Sequence, residues 1–397
     1  MARHLPPLRE MIRALIARPS VSCTDPRFDE SNRAVIDLLA EWAEALGFRV
    51  AIQPLAHGKA NLIASLGPAE CGGGLALSGH TDTVPCDPDR WHSDPFMAIE
   101  KDGRIYGLGS ADMKSFFALA LTAASDIDPA ALHRPLLLVA TADEESSMAG
   151  AKALLPVQLA PARRCVIGEP TGLKPIRMHK GVMMESIRVR GQAGHSSDPT
   201  LGANAIEGMH RLISELLVIR EELQERYRNP AFAVPVPTLN LGAIRGGDNP
   251  NRICGQCELS IDLRPLPGMD TEELRNLLKQ RLARALPASP RFELSVDSLF
   301  DGVPAFETRA DAGLVRCCEH LSHARAGAVS FGTEAPFFSR LGMETVVLGA
   351  GYIEQAHQPD EYLPLDHIEP ATAILRGLIE RYCIRPVPAP LTEDASG

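Results

Sequence analysis

The chain has 397 residues, too many for one ordinary core, so two or three domains are expected. Hydrophobic residues at 45% and charged residues at 23% are the proportions of a globular chain with material for a large core. A net charge of −10 and a pI near 5.7, with no cluster of Lys and Arg, argue against nucleic acid or an anionic membrane as partner.

The first 22 residues are interrupted by prolines and charges, and no window approaches ~18 apolar residues, so neither a leader nor a membrane span is expected. Nine scattered cysteines suit reduced thiols, and the expected location is the cytoplasm. Cys254 and Cys257 form the one C-x-x-C pattern. Their setting, RICGQCELSIDLRP, reads as a strand, in which residues three apart face opposite sides, so structural thiols are expected there rather than a metal pair.

Along the chain, helices are expected over 8–18 and 29–46, the second with Val35, Ile36, Leu38, Leu39, Trp42 and Leu46 on its apolar face and Gly47 as its stop. Strands follow at 49–52, 61–65 and 75–78, then a broken polar loop, TVPCDPDRWHSDPF. Ile105–Tyr106 leads to GLGSADMK and a small-residue helix over 115–124. The apolar runs 136–140 and 164–167 have the continuous character of parallel strands covered on both faces. This alternation is that of a doubly wound, mostly parallel α/β sheet, in which ligands bind beyond the carboxyl ends of strands.

From about residue 180 the pattern becomes strand 181–190, helix 204–227, strands 238–244 and 256–263, helix 271–286 and strand 291–298. This β-α-β-β-α-β order is ferredoxin-like α+β. The α/β pattern then resumes, with a helix at 310–321, a strand at 345–348 and a helix near 370–382. The expected domains are therefore 1–179 with 300–397, and an inserted 180–299. The end, PVPAPLTEDASG, reads as disordered.

The acidic and histidine residues collect at strand ends. In SGHTDTVP, His80 and Asp82 lie two apart and can face one pocket, Asp82 as hydrogen-bond partner of a ligating His80. The same pattern also suits a turn with Asp82 on backbone N–H groups. Asp112, Glu144 with Glu145, Glu169 and His357 complete the set. Two histidines and three carboxylates suffice for two divalent metals if one carboxylate bridges them. Zinc is the favoured ion for such N/O donors, and cobalt or manganese would also fit.

SGHTDTVP, GLGSADMK, ATADEES, GEPT and QAHQPDEY, in this order, resemble the M20 family of dinuclear metallohydrolases, the amidohydrolases and peptidases around aminoacylase and carboxypeptidase. The resemblance covers nearly the whole chain. It implies hydrolysis of an N-acyl amino acid, His80 and Glu169 on one metal, Glu145 and His357 on the other, and Asp112 bridging. Asp82 is then the second-sphere partner of His80, and Glu144 the general base that returns its proton to the leaving amine. The inserted domain is expected to be a lid and dimerisation domain, lending His195 of GHSS to the oxyanion across a homodimer interface. A Gly-His-Ser-Ser loop is also a plain turn. For the substrate, Arg264 and Asn251 suit an α-carboxylate, although Arg264 equally suits a structural salt bridge. Thr333 and Glu334 would line the pocket, with Glu334 facing a side-chain ammonium. Ser115 follows DMK where many members have glycine. His92, His179, His320 and His323 match no motif.

Overall fold

The structure, a computed structural model, describes residues 5–68, 70–159 and 162–384. The tail expected to be disordered, 386–397, lies outside the described residues. The chain forms two compact units, Met1–Arg177 with Thr308–Ala326 and Phe337–Gly397, and Met178–Glu307 with Gly327–Pro336. The second unit thus begins near the expected 180 but runs on past 299 and takes in a further ten-residue segment. Two pairings account for this. Val182 and Val303 exchange N–H···O bonds of 2.8 and 2.9 Å, and the Lys180 N–H donates to the Val329 carbonyl at 3.3 Å. Among the described residues, no helix is long and apolar enough to cross a membrane.

In the first unit the strands run Arg49–Pro54, Ala60–Leu66, Leu136–Thr141, Gly74–His80, Ala162–Ile167 and Glu344–Val347 across the sheet. The last four are mutually parallel and the first two form an antiparallel margin. Both faces of the central strands are inaccessible. Leu75, Leu77, Leu136 and Leu138 belong to the main core with helices Leu8–Ile16, Arg33–Ala45, Ser115–Ser125 and Ile368–Ile379, while Ala76, Ser78, Leu137 and Val139 point the other way and are equally buried. This burial on both faces is why these strands read as uninterrupted apolar runs.

The second helix starts at Arg33, not at residue 29. Asp29 is held outside it, accepting from the Cys23 N–H and from Lys59 Nζ, and the Asn32 side chain is spent on Ala60 and Thr81. The short strand Ile176–His179 was not expected, being too short to show a period.

The second unit is a four-stranded antiparallel sheet ordered Thr238–Gly246, Gln256–Arg264, Met183–Arg190, Glu293–Ser298. Helices Ala205–Arg226 and Thr271–Ala285 share a core with it, Met209, Leu212, Leu216, Leu278 and Leu282 meeting Ile187, Val189, Leu259 and Ile261. Asn204 and Asp270 cap these helices through their side chains. The order and direction of strands are those of the ferredoxin-like β-α-β-β-α-β unit. Cys254 lies ahead of the strand that starts at Gln256, not within it. Cys254 and Cys257 are both buried free thiols.

Candidate metal centre

Parallel strands Gly74–His80 and Leu136–Thr141 end in register, His80 beside Thr141, and the Thr81 N–H donates to the Thr141 carbonyl at 2.9 Å. The turn carrying Glu144 and Glu145 is thereby fixed next to His80. The neighbouring strand Ala162–Ile167 runs through Gly168 into Glu169. Gly168 is required here, because a Cβ would lie 2.0 Å from the Phe116 ring. All these residues sit at or just beyond the carboxyl ends of parallel strands, where an open α/β sheet binds ligands.

The His80 Nδ1–H donates to the main-chain carbonyl of Asp82 at 3.0 Å. This selects the tautomer with a bare Nε2, the nitrogen able to ligate. Nε2 lies 3.1 Å from Asp112 Oδ1 and 3.9 Å from Glu169 Oε1. On the other side His357, held at φ +60°, places its Nε2 3.6 Å from Asp112 Oδ2 and 3.0 Å from the Glu145 carboxylate. Asp112 therefore turns one oxygen to each histidine. Two sets of potential donor atoms lie within 4.8 Å of one another, His80–Asp112–Glu169 and Asp112–Glu145–His357, with Asp112 common to both. A third set, His80–Glu144–Glu145, puts Glu144 at the same place.

The expected hydrogen bond from His80 to the side chain of Asp82 is not made in this structure. The Asp82 carboxylate is 3.8 Å from His80 Nδ1, whose proton goes to the Asp82 main chain, and its Oδ2 accepts from the Glu145 N–H at 3.1 Å. The side chain orients the turn that carries Glu145. A backbone carbonyl competing successfully for the imidazole proton leaves no trace in a His-x-Asp pattern.

The electrostatics are those of crowded acids. Burial pushes the Asp82 carboxyl up to about 6, and burial together with the charge of Asp112 holds Glu169 well above the carboxylate range. Burial disfavours the His80 cation, but Asp112, Glu169 and Asp82 outweigh it and hold the ring above its ordinary value. Hydrogen bonds to Asp112 and Glu145 push His357 up to about 10. Asp112 lies below its ordinary value: burial opposes this, and the two histidines prevail. Nε2 of each histidine faces carboxylates that favour a positive charge there. Glu169 Oε1 is buried without a hydrogen-bond partner, as an oxygen aimed at a cation would be.

A model of peptidase family M20/M25/M40 matches residues 76–381. The chain belongs to this family. It is 50% identical over 384 residues to a protein of Proteus mirabilis (strain HI4320) named acetylornithine deacetylase, covering 96% of this chain and 98% of that one. Among solved structures it is similar to an aminopeptidase from Bacillus cereus ATCC 10987 (TM-score 0.74, 20% identity, 94% of this chain and 98% of that chain). It is also similar to a dinuclear metal-binding peptidase of family M20 from Bacillus subtilis (TM-score 0.67, 16% identity, 94% and 96%).

The M20 site rests on residues that motif reading passed over. Lys59, almost inaccessible, bonds Asp29 at 2.6 Å and also bonds Asp143, which adjoins the Glu144–Glu145 pair. The Ser22 hydroxyl donates to the same Asp143 carboxylate at 2.8 Å. Asp143 itself is at φ +61°, a conformation that Asp tolerates better than most residues. The partners are 84 and 121 positions away in sequence, so spacing carries no signal for them.

The remaining expected residues belong to the second unit. His195 is exposed, and its Nδ1 accepts from the N–H and the hydroxyl of Ser197 at 3.2 and 2.7 Å. Its loop bridges to Arg252, and the Ser196 N–H donates to the Asn251 carbonyl at 3.1 Å, which joins His195 and Asn251 in one local structure. Arg264 sets Nε on both oxygens of Asp262, at 2.9 and 3.0 Å, so its guanidinium is already in an ion pair. Thr333 and Glu334 are fully buried.

Proposed function

We propose that this chain is a two-metal amide hydrolase that removes the acetyl group from N2-acetyl-L-ornithine, giving L-ornithine and acetate, as a step of arginine biosynthesis. The observation that carries the reading is Asp112 between two histidines, each backed by a further carboxylate. The near-full-length similarity to proteins named acetylornithine deacetylase supports the substrate, as do the stretches ATADEESSMAGA, GHSSDPTLGANAIEGMH and FGTEAPFF.

The donor set fits two divalent ions: it is of nitrogen and oxygen, suited to zinc and also to cobalt, and one of its buried carboxylates, Glu169, holds an unpartnered oxygen. His80 and Glu169 would hold one ion, Glu145 and His357 the other, and Asp112 both. When bound, the ions supply Lewis acidity to the acyl carbonyl and to water. Glu144 takes the proton of the water that adds to the acyl carbon and returns it to the amine nitrogen as the C–N bond breaks. His195, with Nδ1 occupied by Ser197, presents Nε2–H as donor to the tetrahedral oxyanion. Asn251 and Arg264 engage the substrate carboxylate, Arg264 through the nitrogens other than Nε. Thr333 lines the pocket. Glu334 is the counter-charge to the ornithine ammonium. Its burial requires that the ammonium reach a desolvated carboxylate.

A homodimer through the second unit is supported by its margin strand Thr238–Gly246, exposed over its last five residues with Ile244 at 55% accessibility. Nine free thiols support the cytoplasm as its compartment. The test is a hydrolysis panel of acetylornithine, succinyl-diaminopimelate and acetylmethionine, with protein stripped by chelator and reloaded with zinc or cobalt. Acetylornithine should be turned over fastest. Protein holding two ions and inert towards it would overturn the reading.

A further inference from the structure

Glu361 lies four residues beyond His357 and is 1% exposed, with no role in the chemistry above. Its carboxylate accepts three backbone N–H groups of one short loop: Gly109 on Oε2 at 3.1 Å, and Ala111 and Asp112 on Oε1 at 2.7 and 2.9 Å. Its main-chain carbonyl takes a fourth, from Gly107 at 3.0 Å. Successive N–H groups converging in this way form a concavity for an anion. Here the anion is a side chain of the same protein.

The loop so gripped ends at Asp112, the one residue shared by both donor sets, and the gripping segment also carries His357. Distances from Asp112 Oδ1 to His80 and from Oδ2 to His357 therefore depend on a contact made by neither histidine. We propose that Glu361 is a positioning residue of the metal centre, which holds the Asp112 backbone so that one carboxylate faces both ion sites. The proposal rests on the two-ion reading.

Replacement by glutamine keeps the shape but offers one acceptor oxygen, so at least one N–H group would face the amide NH2. Glu361→Asp keeps the charge and shortens the arm by one methylene.

The experiment compares chelator-stripped parent, Glu361→Gln and Glu361→Asp by cobalt titration against a competing chelator, with the visible absorption of the loaded protein and circular dichroism as a check of folding. We expect cobalt affinity at both sites to fall by roughly tenfold or more in Glu361→Gln and less in Glu361→Asp, on the scale seen for groups that orient ligands. The absorption bands should shift, and saturating cobalt should restore most of kcat with KM unchanged. If either folded variant binds two ions with the parent's affinity and spectrum, the proposal fails. If the parent itself binds fewer than two ions, the underlying reading fails instead. Should Glu361→Gln not fold, Glu361→Asp alone decides between these outcomes.

Discussion

The candidate metal centre of the first unit and the His195 loop of the second hold their side chains in opposite ways. Around the centre, His80, Asp82, Asp112 and Glu169 are buried, and three of them are held from distant parts of the chain: His80 Nε2 meets Asp112, the Asp82 carboxylate accepts from the Glu145 N–H, and the Asp112 N–H donates to Glu361. His195 is exposed and is held by Ser197, two residues away. Groups that bear ions need a geometry set before anything binds, and the carboxyl ends of strands covered on both faces supply it. The donor role proposed for His195 is needed only in the transition state, so a loop can place it when substrate arrives.

This contrast can be broken by substitution. The largest effect on turnover is expected of Glu144→Gln, which should lower kcat by about 10²–10⁴-fold while two ions per chain remain, measured by metal analysis beside steady-state kinetics. Loss of an ion from that variant would make Glu144 a ligand instead of a base. His195→Gln should cost about 10²–10³-fold in kcat, with ion content and thermal stability unchanged. A fall in stability would show that the loop is more tightly built than its local bonds suggest.

The smallest effect concerns His179, the second unit's own fully buried histidine. Burial holds its ring down to about 4 although its Nδ1–H has the Lys180 carbonyl. Unfolded, it titrates near 6.5. Between those values the unfolded chain binds the extra proton, so this contribution is present at neutral pH and is lost as pH falls from about 6.5 to about 4, up to about 3 kcal/mol. Urea unfolding at pH 7 and pH 5 should show a smaller drop in His179→Asn than in the parent.

Much of this was readable in the chain. His80, Asp112, Glu145, Glu169 and His357 could be singled out because chemistry-bearing residues follow apolar runs whose length and continuity mark parallel strands. The ferredoxin-like order was readable from two long amphipathic helices among alternating strands. What escaped was of three physical kinds. Short elements such as Ile176–His179 and Gly327–Val329 have no period to detect. Competition for one proton, as between the carbonyl and the carboxylate of Asp82, is decided by angles. Long-range grips, Lys59 on Asp143 and Glu361 on the Gly109–Asp112 loop, join residues whose spacing has no rule.

Asp112 is proposed to serve two ions at once. Calorimetric titration of chelator-stripped protein with zinc tests it most directly, with Asp112→Ala beside the parent. Two ions per chain are expected in the parent and weakened binding of both in the variant. One ion in the parent, or a variant that loses one site and keeps the other at full affinity, would contradict it.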